Sequence, residues 1–496
     1  MFAAACTTIE PKPIQDVEMS RQTTLDRAAA HKGVDPLEGP LTLEQAIARA
    51  LKFNLDRRTK LMEEAIALNQ LDVSRLDMLP KLVAQTGFSS RDSDRTTLSR
   101  NIATGQLVPS NFVSQDRSHV TSQLGLTWNM LEMGVGYLNT RQAADRVLIA
   151  TEKRRKAMHV LMQDVRTVFW RAISAQKLKD DVKRIIASAE EALVDSRKAE
   201  EERIRNPLDA LRYQRQILEN LRLLESIEQE LSSAQVELAM LINAPQGAAL
   251  ELVDTPFNLN SEALKISLDT LEETALLNNA DLREQHYNAR IARTETRKVL
   301  YRMFPNVSFN YSLNYDTDTY LVNQKWNETG LQVSYNLLNL LTAPTQTRLA
   351  EAGVALSDQR RVAVQMAVLT QVHLARQQLA NATSQFGRAE EIWKVDSKIS
   401  TIVINREAAR AQSKLERISN ETAAVLSLLR RYQAAAQMQA AESRLQATLG
   451  VEPRIDSIDE IATNELAQRI TLHNLVWQSI LSEQAKDRQT TETNSK

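Results

Sequence analysis

The sequence predicts a mainly α-helical protein that carries two β-hairpins and is built from two copies of one plan. Three observations lead to this fold class: long stretches with helical periodicity, short stretches with period-two alternation, and self-similarity between the two halves. Only 12 Gly and 12 Pro occur in 496 residues, and charged residues make up 25%. That composition is typical of long helices with few turns.

Charge and hydropathy exclude some classes of protein. The net charge is −1, with basic and acidic residues interspersed, so the composition does not indicate a nucleic-acid-binding surface. No run of 18 or more apolar residues occurs, so the sequence predicts no transmembrane helix.

The clearest strand signal is "PNVSFNYSLNYDTDT", which starts at Pro305. Large apolar side chains alternate with small polar ones over nine residues, as in a strand with one apolar and one polar face. The apolar positions are Val307, Phe309, Tyr311, Leu313 and Tyr315, and the polar positions are Ser308, Asn310, Ser312 and Asn314.

The two halves share a helix–strand–loop–strand–long-helix plan. "LTLEQAIARALKFNLDRR" from Leu41 matches "ISLDTLEETALLNNADLR" from Ile266 at an offset of 225, which also aligns Pro80 with Pro305. "LGLTWNMLEMG" matches "LQVSYNLLNLL" at the smaller offset of 207, so the first hairpin has the longer loop. The helices end alike, at "AMLINAP" and "ATLGVEP", with an offset of 208.

These matches predict the domain boundaries. Residues 1–40 form an N-terminal extended or anchor segment, and 41–250 form the first repeat, with a hairpin at about 81–130 and long helices at about 135–243. A linker covers 251–265. The second repeat covers 266–453, with a hairpin at about 306–337 and long helices at about 343–449, and a partly helical tail covers 454–496.

The long helices carry a heptad pattern from about Val135 to Arg205, a stretch without proline. Apolar residues spaced three and four apart predict a coiled coil, which Lys179 interrupts. The seam residues are Met158, Leu161, Val165, Val168, Ala172, Ala175, Val182, Ile186, Ala189 and Leu193. A return helix is predicted to begin at Asn206 as the N-cap and Pro207 as the first helical residue. Alignment places the second repeat's turn near Lys414.

The hairpin strands have about ten residues, the length of a transmembrane β-strand, and their alternation fits a barrel with a wet interior. The predicted lipid-facing residues are Phe309, Tyr311, Leu126, Trp128, Val333 and Tyr335. The predicted pore-facing residues are Asn310, Ser312, Ser334, Asn336, Thr127 and Asn129. A soluble sheet packed on helices would also alternate, so that alternative stays open.

Four strands cannot close a barrel, and an open edge in lipid leaves backbone groups unpaired at several kcal/mol each. Two copies would give eight strands, whose side chains fill the interior. Three copies would give a 12-stranded barrel with a pore. We therefore expect a homotrimer.

This combination resembles the TolC-like outer-membrane efflux proteins of Gram-negative bacteria, over about residues 41–453. The duplicated plan, the "LTLEQAIARALKFN" opening, the proline before each first strand and "LTWNMLEMG" carry the resemblance. Family members often end that last motif in Asp-Gly-Gly, where this chain has Glu132-Met133-Gly134 and Asn339-Leu340-Leu341. A less sharp bend is expected there.

The resemblance implies a trimeric channel that spans the outer membrane and continues as an α-helical coiled-coil tunnel into the periplasm. It implies passive conduction of substrates, a periplasmic adaptor (membrane fusion protein) at the tunnel tip, and an inner-membrane efflux pump or secretion transporter. The candidate tip residues are Arg203, Arg205, Asn206, Pro207 and Asp209.

Cys6, the single cysteine, follows three alanines in "MFAAACTTIEPKP", which partly resembles the end of a lipoprotein signal. Such signals usually have Leu where this chain has Ala3, and the expected upstream parts are missing, as though the signal were truncated. An incidental thiol is the alternative. Many relatives carry a lipid-modified N-terminal cysteine, so we expect Cys6 to be acylated.

No motif for catalysis, a cofactor or a metal site is recognisable. The six histidines are scattered without metal-ligand spacing and are expected to be packing or surface residues: His31, His119, His159, His286, His373 and His473. The sequence therefore predicts a conduit and not an enzyme. The competing hypothesis is a soluble coiled-coil scaffold that oligomerises through its hairpins.

Overall fold

The structure is a computed structural model that describes residues 11–37, 39–202, 207–245, 247–248, 250–254, 262–409, 413–452, 458–474, 476–477 and 479. The helices are α1 (Asp16–Ala30), α2 (Leu43–Phe53), α3 (Leu55–Leu76), α4 (Met130–Glu201), α5 (Pro207–Leu241), α6 (Leu268–Asn278), α7 (Ala280–Tyr301), α8 (Leu338–Ala408) and α9 (Lys414–Leu449). The strands are β1 (Lys81–Ser90), β2 (Thr96–Arg100), β3 (Leu107–Val113), β4 (Ser118–Asn129), β5 (Asn306–Asp316) and β6 (Lys325–Ser334). A further helical stretch covers 463–474.

The chain forms two compact units. Unit 1 comprises the described parts of residues 1–61, 153–282 and 365–496, and unit 2 comprises residues 62–152 and 283–364. The boundaries between the units fall inside α3, α4, α7 and α8.

Unit 2 contains a four-stranded antiparallel sheet in the order β1-β4-β5-β6. The central pairing, β4 with β5, joins the returning strand of the first hairpin to the outgoing strand of the second. The longer loop of the first hairpin contains a second sheet, β2 paired with β3, in which Thr97 opposes Phe112 and Leu98 opposes Asn111. β-branched and aromatic residues favour this pairing.

The helices of unit 2 form a layer in the same order as the strands, α3-α4-α7-α8. Thr140 Oγ1 on α4 donates a hydrogen bond to the Ser74 carbonyl oxygen on α3 (2.9 Å). Arg293 Nη2 on α7 donates to Asp358 Oδ1 on α8 (3.0 Å). β1 and β5 therefore follow α3 and α7, and β4 and β6 lead into α4 and α8, so the strands and the helices have the same order.

A polar seam joins α4 to α7. Gln142, Asp145 and Glu152 are buried on α4. Arg290 Nε donates to Asp145 Oδ1 (2.8 Å), and Arg283 Nε lies 2.8 Å from Glu152 Oε1. Asp145 is buried while Arg290 is half exposed, so removing Arg290 would leave a buried carboxylate without its ion-pair partner, and this favours the observed register of the two helices.

The predicted heptad seam of α4 is buried in unit 1. All ten seam residues are buried except Val168 and Ile186, which are partly buried, and Lys179 is exposed. Phe169 and Trp170 are fully buried between seam positions, so the apolar stripe is wider than a strict heptad seam.

Both helical turns lie in unit 1. α4 ends at Glu201 and α5 begins at Pro207. α8 ends at Ala408, and Ser413 caps α9 by accepting a hydrogen bond from Glu416 N (3.2 Å). The second turn therefore lies where the alignment of the repeats predicts it.

The same contact anchors the end of each repeat. Asn54 Nδ2 donates to the Leu241 carbonyl oxygen (3.1 Å), and Asn279 Nδ2 donates to the Thr448 carbonyl oxygen (2.9 Å). Each Asn side-chain oxygen also accepts from the backbone N–H three residues on. These two asparagines align in the sequence, and both are buried.

The helices α5 and α9 end in the same motif. The residues Asn243 and Gly450 have φ of 50° and 66°, in the left-handed region. In each case the N–H after the left-handed residue bonds a carbonyl five residues back, the 6→1 bond of a Schellman motif. Asn243 is therefore the structural equivalent of Gly450. The offset between the two helix ends is thus 207 residues and not the 208 that the sequence alignment gave.

A cluster of charged groups holds the 463–474 stretch in unit 1. Arg166 donates hydrogen bonds to Asn474 Oδ1 (3.0 Å) and to Ser443 Oγ. Burial and the positive charge of Arg166 lower the pKa of His473 to about 4, so this imidazole is neutral near pH 7. Burial opposes ionisation of Glu452, but His159 and Arg155 outweigh it and lower its pKa.

We expect acid to weaken unit 1 through His473. Unfolded His473 binds a proton below about pH 6.5 and folded His473 only below about pH 4, so the unfolded state binds more protons between these values. Stability should fall by up to roughly 3 kcal/mol as the pH falls through this window. Thermal melts from pH 7.5 to 4 measure this slope. In His473→Gln the slope should flatten, and an unchanged slope would contradict the assignment.

Candidate functional site

The sheet of unit 2 collects the predicted lipid-facing strand residues on one face. Leu126 opposes Tyr311 and Trp128 opposes Phe309 across β4 and β5. Val333 on β6 has the same parity through its pairing with β5. Directly paired residues point to the same side of a sheet and successive residues alternate. These five residues therefore share one face.

The predicted pore-facing strand residues lie on the other face. Thr127 opposes Asn310 directly, and Asn129, Ser312 and Ser334 have the same parity. The register thus separates the two sets completely within the strands. Which face meets lipid stays a prediction.

Two of the predicted strand residues lie beyond the sheet. β6 ends at Ser334, so Tyr335 and Asn336 are not strand residues, and their strand assignment was wrong. The reason is local: Asn336 Oδ1 accepts a hydrogen bond from Leu338 N (3.1 Å), which caps the start of α8 and ends the strand. α4 and α8 accordingly begin about five residues earlier than predicted, at Met130 and Leu338.

The two faces differ from the simple alternation at a few positions. Thr86 and Ser122, paired with each other, lie on the apolar face, and Val83 and Trp326 lie on the polar face. The Thr86 interruption is visible in the sequence. The position of Trp326 was missed, because only the pairing of β5 with β6 fixes its parity.

On the central strand β5, the apolar face is the more exposed face in the single chain. Phe309 and Leu313 are 39% and 42% exposed, whereas Ser308 and Ser312 on the polar face are 6% and 9% exposed. A soluble sheet packed on helices would bury its apolar side chains. Among the described residues, nothing covers this apolar face in that way.

Both edge strands of the sheet are open. β1 pairs only with β4, and β6 pairs only with β5, among the strands that the structure describes. Soluble proteins avoid long open edges, because the unpaired N–H and C=O groups pair with other chains. The edges therefore mark the sheet as incomplete.

Exposed apolar side chains continue both open edges along the adjoining helices. α3, which leads to β1, exposes Met62, Ile66, Val73 and Leu76 at helical spacing. α8, which follows β6, exposes the same kind of stripe, formed by Leu338, Leu341, Leu349 and Leu356. Stripes of this length are a mark of a protein–protein interface.

The loops of the two hairpins are bonded to each other at one end of the sheet. Asp116 accepts hydrogen bonds from Thr319 N (2.6 Å) and Thr319 Oγ1 (2.9 Å), and Asp116 N donates to Asp318 Oδ1 (3.1 Å). The bonds from Thr319 lower the pKa of Asp116. The sequence did not reveal this contact, because the two segments belong to different repeats and lie far apart in the chain.

The predicted tip residues are only partly described. Arg203, Arg205 and Asn206 lie outside the described residues, as does the side chain of Pro207, although α5 begins there. Asp209 is exposed in the first turn of α5, 3.8 Å from Arg212. Cys6 also lies outside the described residues.

The described ranges carry few groupings of reactive side chains. They contain no group of three or more His, Cys, Asp or Glu side chains placed to hold a metal ion. Of the predicted scattered histidines, His119 and His159 are buried, and His373 forms an exposed pair with Glu272. None of the helices in these ranges has an apolar stretch long enough to span a membrane.

Comparison with solved structures finds chains of the same fold. A membrane protein from Pseudomonas aeruginosa matches with a TM-score of 0.63 and 13% identity, over 85% of this chain and 92% of that chain. The outer-membrane channel OprN matches with a TM-score of 0.62 and 13% identity, over 83% and 90%. The Campylobacter jejuni outer membrane channel CmeC matches with a TM-score of 0.61 and 13% identity, over 86% and 89%.

No family model matches the sequence, and no curated protein matches it. The structural likeness extends over most of both chains, and at this identity it establishes the fold. The fold expected from the resemblance is thereby confirmed: this chain has the fold of the outer-membrane channels.

Proposed function

We propose that this chain is the outer-membrane channel of a tripartite efflux or secretion system, assembled as a trimer. The trimer spans the outer membrane through a 12-stranded barrel and projects a helical tunnel into the periplasm. Substrates pass through it passively, delivered by an inner-membrane transporter through a periplasmic adaptor. The role of these partners rests on the resemblance to TolC-like proteins, and the fold supports it.

One observation carries the proposal: the four-stranded sheet exposes its apolar face and leaves both edges unpaired. In lipid, an exposed apolar face is favourable and an open edge is not. Pairing β6 of one copy with β1 of the next removes every edge once the ring closes. The exposed stripes on α8 and α3 adjoin those edges, so the same contact buries them.

The number of strands favours three copies. Eight strands leave an interior that side chains fill, whereas twelve leave room for a water-filled passage. The polar face, with Asn310, Ser312 and Thr127, then lines the passage. This arrangement gives a conducting pore without any catalytic group.

Fractionation and conductance test the proposal. The protein should pellet with outer membranes, need detergent for extraction, migrate as a heat-sensitive trimer in gels, and conduct ions in planar bilayers. A soluble coiled-coil scaffold would stay in the supernatant after lysis. Recovery as a soluble oligomer without conductance would overturn the proposal.

The turn between α4 and α5 is expected to contact the adaptor. Cysteines placed at Arg203 or Asp209 should crosslink to the adaptor in cells. Val236 is an exposed control on the same helix, about 40 Å farther along it. If Val236→Cys crosslinks as well as Asp209→Cys, or if neither tip position reacts while efflux persists, the tip is misplaced.

Cys6 is expected to carry a lipid in the native host. Mass spectrometry of the membrane-extracted protein should find diacylglycerol and a third acyl chain on an N-terminal cysteine. Cys6→Ser should weaken targeting or assembly while the trimer still folds, because the barrel itself holds the protein in the membrane. An unmodified Cys6 in natively expressed protein would contradict this prediction.

A further inference from the structure

A trough runs along α7 and α8 in unit 2, with two residues of α4 at its side, and we call it the α7–α8 trough. Its volume is about 750 Å³. Three arginines line it, together with apolar residues on both walls. The residues that matter here are Arg146, Arg302, Arg360, Ile291, Val299 and Leu349.

Two of the three arginines, Arg146 and Arg360, are available to a ligand, whereas the positive charge of Arg302 already helps to lower the pKa of Glu295. In the part of the chain that the structure describes, no hydrogen bond or ion pair engages the guanidinium group of Arg146, Arg302 or Arg360. Glu295 is the one acidic residue in the lining, and Lys298 Nζ (2.7 Å) and Gln142 Nε2 (3.0 Å) already bond its carboxylate. The trough therefore carries an excess of positive charge.

Contacts along the helices place two of these arginines at the same level. Asp145 bonds Arg290, so the next residue on α4, Arg146, lies near position 290 of α7. Asp358 on α8 bonds Arg293 on α7. Because the two helices are antiparallel, Arg360, two residues after Asp358, lies near position 291 of α7. Arg146 on α4 and Arg360 on α8 therefore both lie beside the same stretch of α7, and both line the trough.

The apolar part of the trough lies toward its other end. Asn339 Nδ2 donates to the Arg302 carbonyl oxygen (3.3 Å), which sets residues 339 and 302 at one level. Val299, three residues before Arg302 on α7, therefore lies between that level and the Arg146 level. The trough thus has two arginines toward one end and an apolar contact at Val299 toward the other, with polar residues such as Gln346 beside it.

The charge around the trough is largely paired. Residues 283–302 contain six basic and two acidic side chains, and carboxylates already pair with four of the basic ones: Glu152 with Arg283, Asp145 with Arg290, Asp358 with Arg293 and Glu295 with Lys298. Burial and the positive charges of Arg361 and Arg293 lower the pKa of His286 on α7. Asp358 compensates Arg293 and, at 3.6 Å, Arg361. The preference for an anion therefore rests on Arg146 and Arg360.

We propose that the α7–α8 trough binds an amphipathic anion. Its acidic group lies between Arg146 and Arg360, which donate charge-assisted hydrogen bonds. Its apolar body lies along Val299 on α7. This site goes beyond the proposed conduit, because it gives the helical layer of unit 2 a preference for one class of ligand. It is tested by measuring binding and not transport.

Titration calorimetry of the purified full chain in a neutral detergent tests the site, with hexyl phosphate as the probe. We expect saturable binding at one site per chain. Arg146→Gln and Arg360→Gln should each raise Kd about tenfold or more, as expected for the loss of a hydrogen bond to a charged group. Val299→Thr, which keeps the side-chain shape, should weaken hexyl phosphate and leave inorganic phosphate unchanged.

Arg348→Gln is the matched control, because Arg348 is exposed on α8 outside the trough and bonds only the Pro344 carbonyl oxygen of its own helix (3.3 Å). It should leave Kd unchanged, and circular dichroism should show native helix content in every variant. Absence of saturable binding, equal weakening by Arg348→Gln, or equal affinity for inorganic phosphate and hexyl phosphate would each overturn the proposal. So would burial of the trough by a neighbouring copy, seen as binding to monomer but not to trimer.

Discussion

Phe309→Arg is expected to deplete folded trimer from the outer membrane, whereas Asn310→Arg leaves trimer levels near normal. The two neighbours lie on opposite faces of β5, and Phe309 lies in the exposed apolar row with Trp128. An arginine facing lipid near the bilayer midplane costs roughly 2–4 kcal/mol, while one in a wet lumen stays hydrated. In the proposed trimer, this cost would occur in each of the three copies.

The pair is compared by heat-sensitive trimer in gels and by bilayer conductance. Asn310→Arg should shift single-channel conductance or ion selectivity, because it adds three positive charges to one level of the pore. Equal tolerance of both substitutions, or greater damage from Asn310→Arg, would mean that the sheet does not separate lipid from water. The soluble scaffold would then be the better description.

Gly450→Ala should strongly destabilise unit 1. Gly450 has φ of 66°, and an added Cβ would lie 2.2 Å from the carbonyl oxygen of Asn278 and 2.5 Å from its carbonyl carbon. Real Cβ atoms do not approach backbone this closely, so α9 or α6 has to move. The left-handed conformation and the overpacking together should cost roughly 2–5 kcal/mol.

Gly387→Ala is the matched control, because it is the same substitution in the interior of α8 with no atom within 4 Å of the added Cβ. It should be neutral or slightly stabilising, since alanine favours helix over glycine. Melting followed by circular dichroism at 222 nm (a standard helix wavelength) compares the two. Similar melting temperatures for both variants would show that α9 relaxes without cost.

The first repeat shows why the requirement for glycine at position 450 could not be predicted from the sequence. Asn243 occupies the place of Gly450 and also adopts a left-handed conformation, with a φ of 50°. A left-handed helix end is readable from Gly or Asn after a periodic segment. The close approach of the Asn278 backbone, which excludes a side chain in the second repeat only, depends on tertiary packing.

In the strands, too, the local features could be predicted from the sequence and the tertiary contacts could not. Alternation in "VSFNYSLNY" predicts two faces, because the side-chain period of a strand is two and is local. The pairing of β4 with β5 and the extra β2–β3 sheet depend on partners that alternation does not identify. The α7–α8 trough was also missed, because its arginines come from helices whose alignment is set by the buried bonds of Asp145 and Asp358.

The pairing of β4 with β5 has a consequence for the order in which the chain folds. Thr127 and Asn310 are direct partners, yet they belong to different repeats, with the whole of α4 and α5 between them. Contacts this distant in the chain form slowly, because the intervening segment must close a long loop first. Helices whose contacts are local, such as the α4–α5 hairpin, can form before β4 pairs with β5. We therefore expect the four strands of the sheet to come together after the helical hairpins of unit 1 have formed.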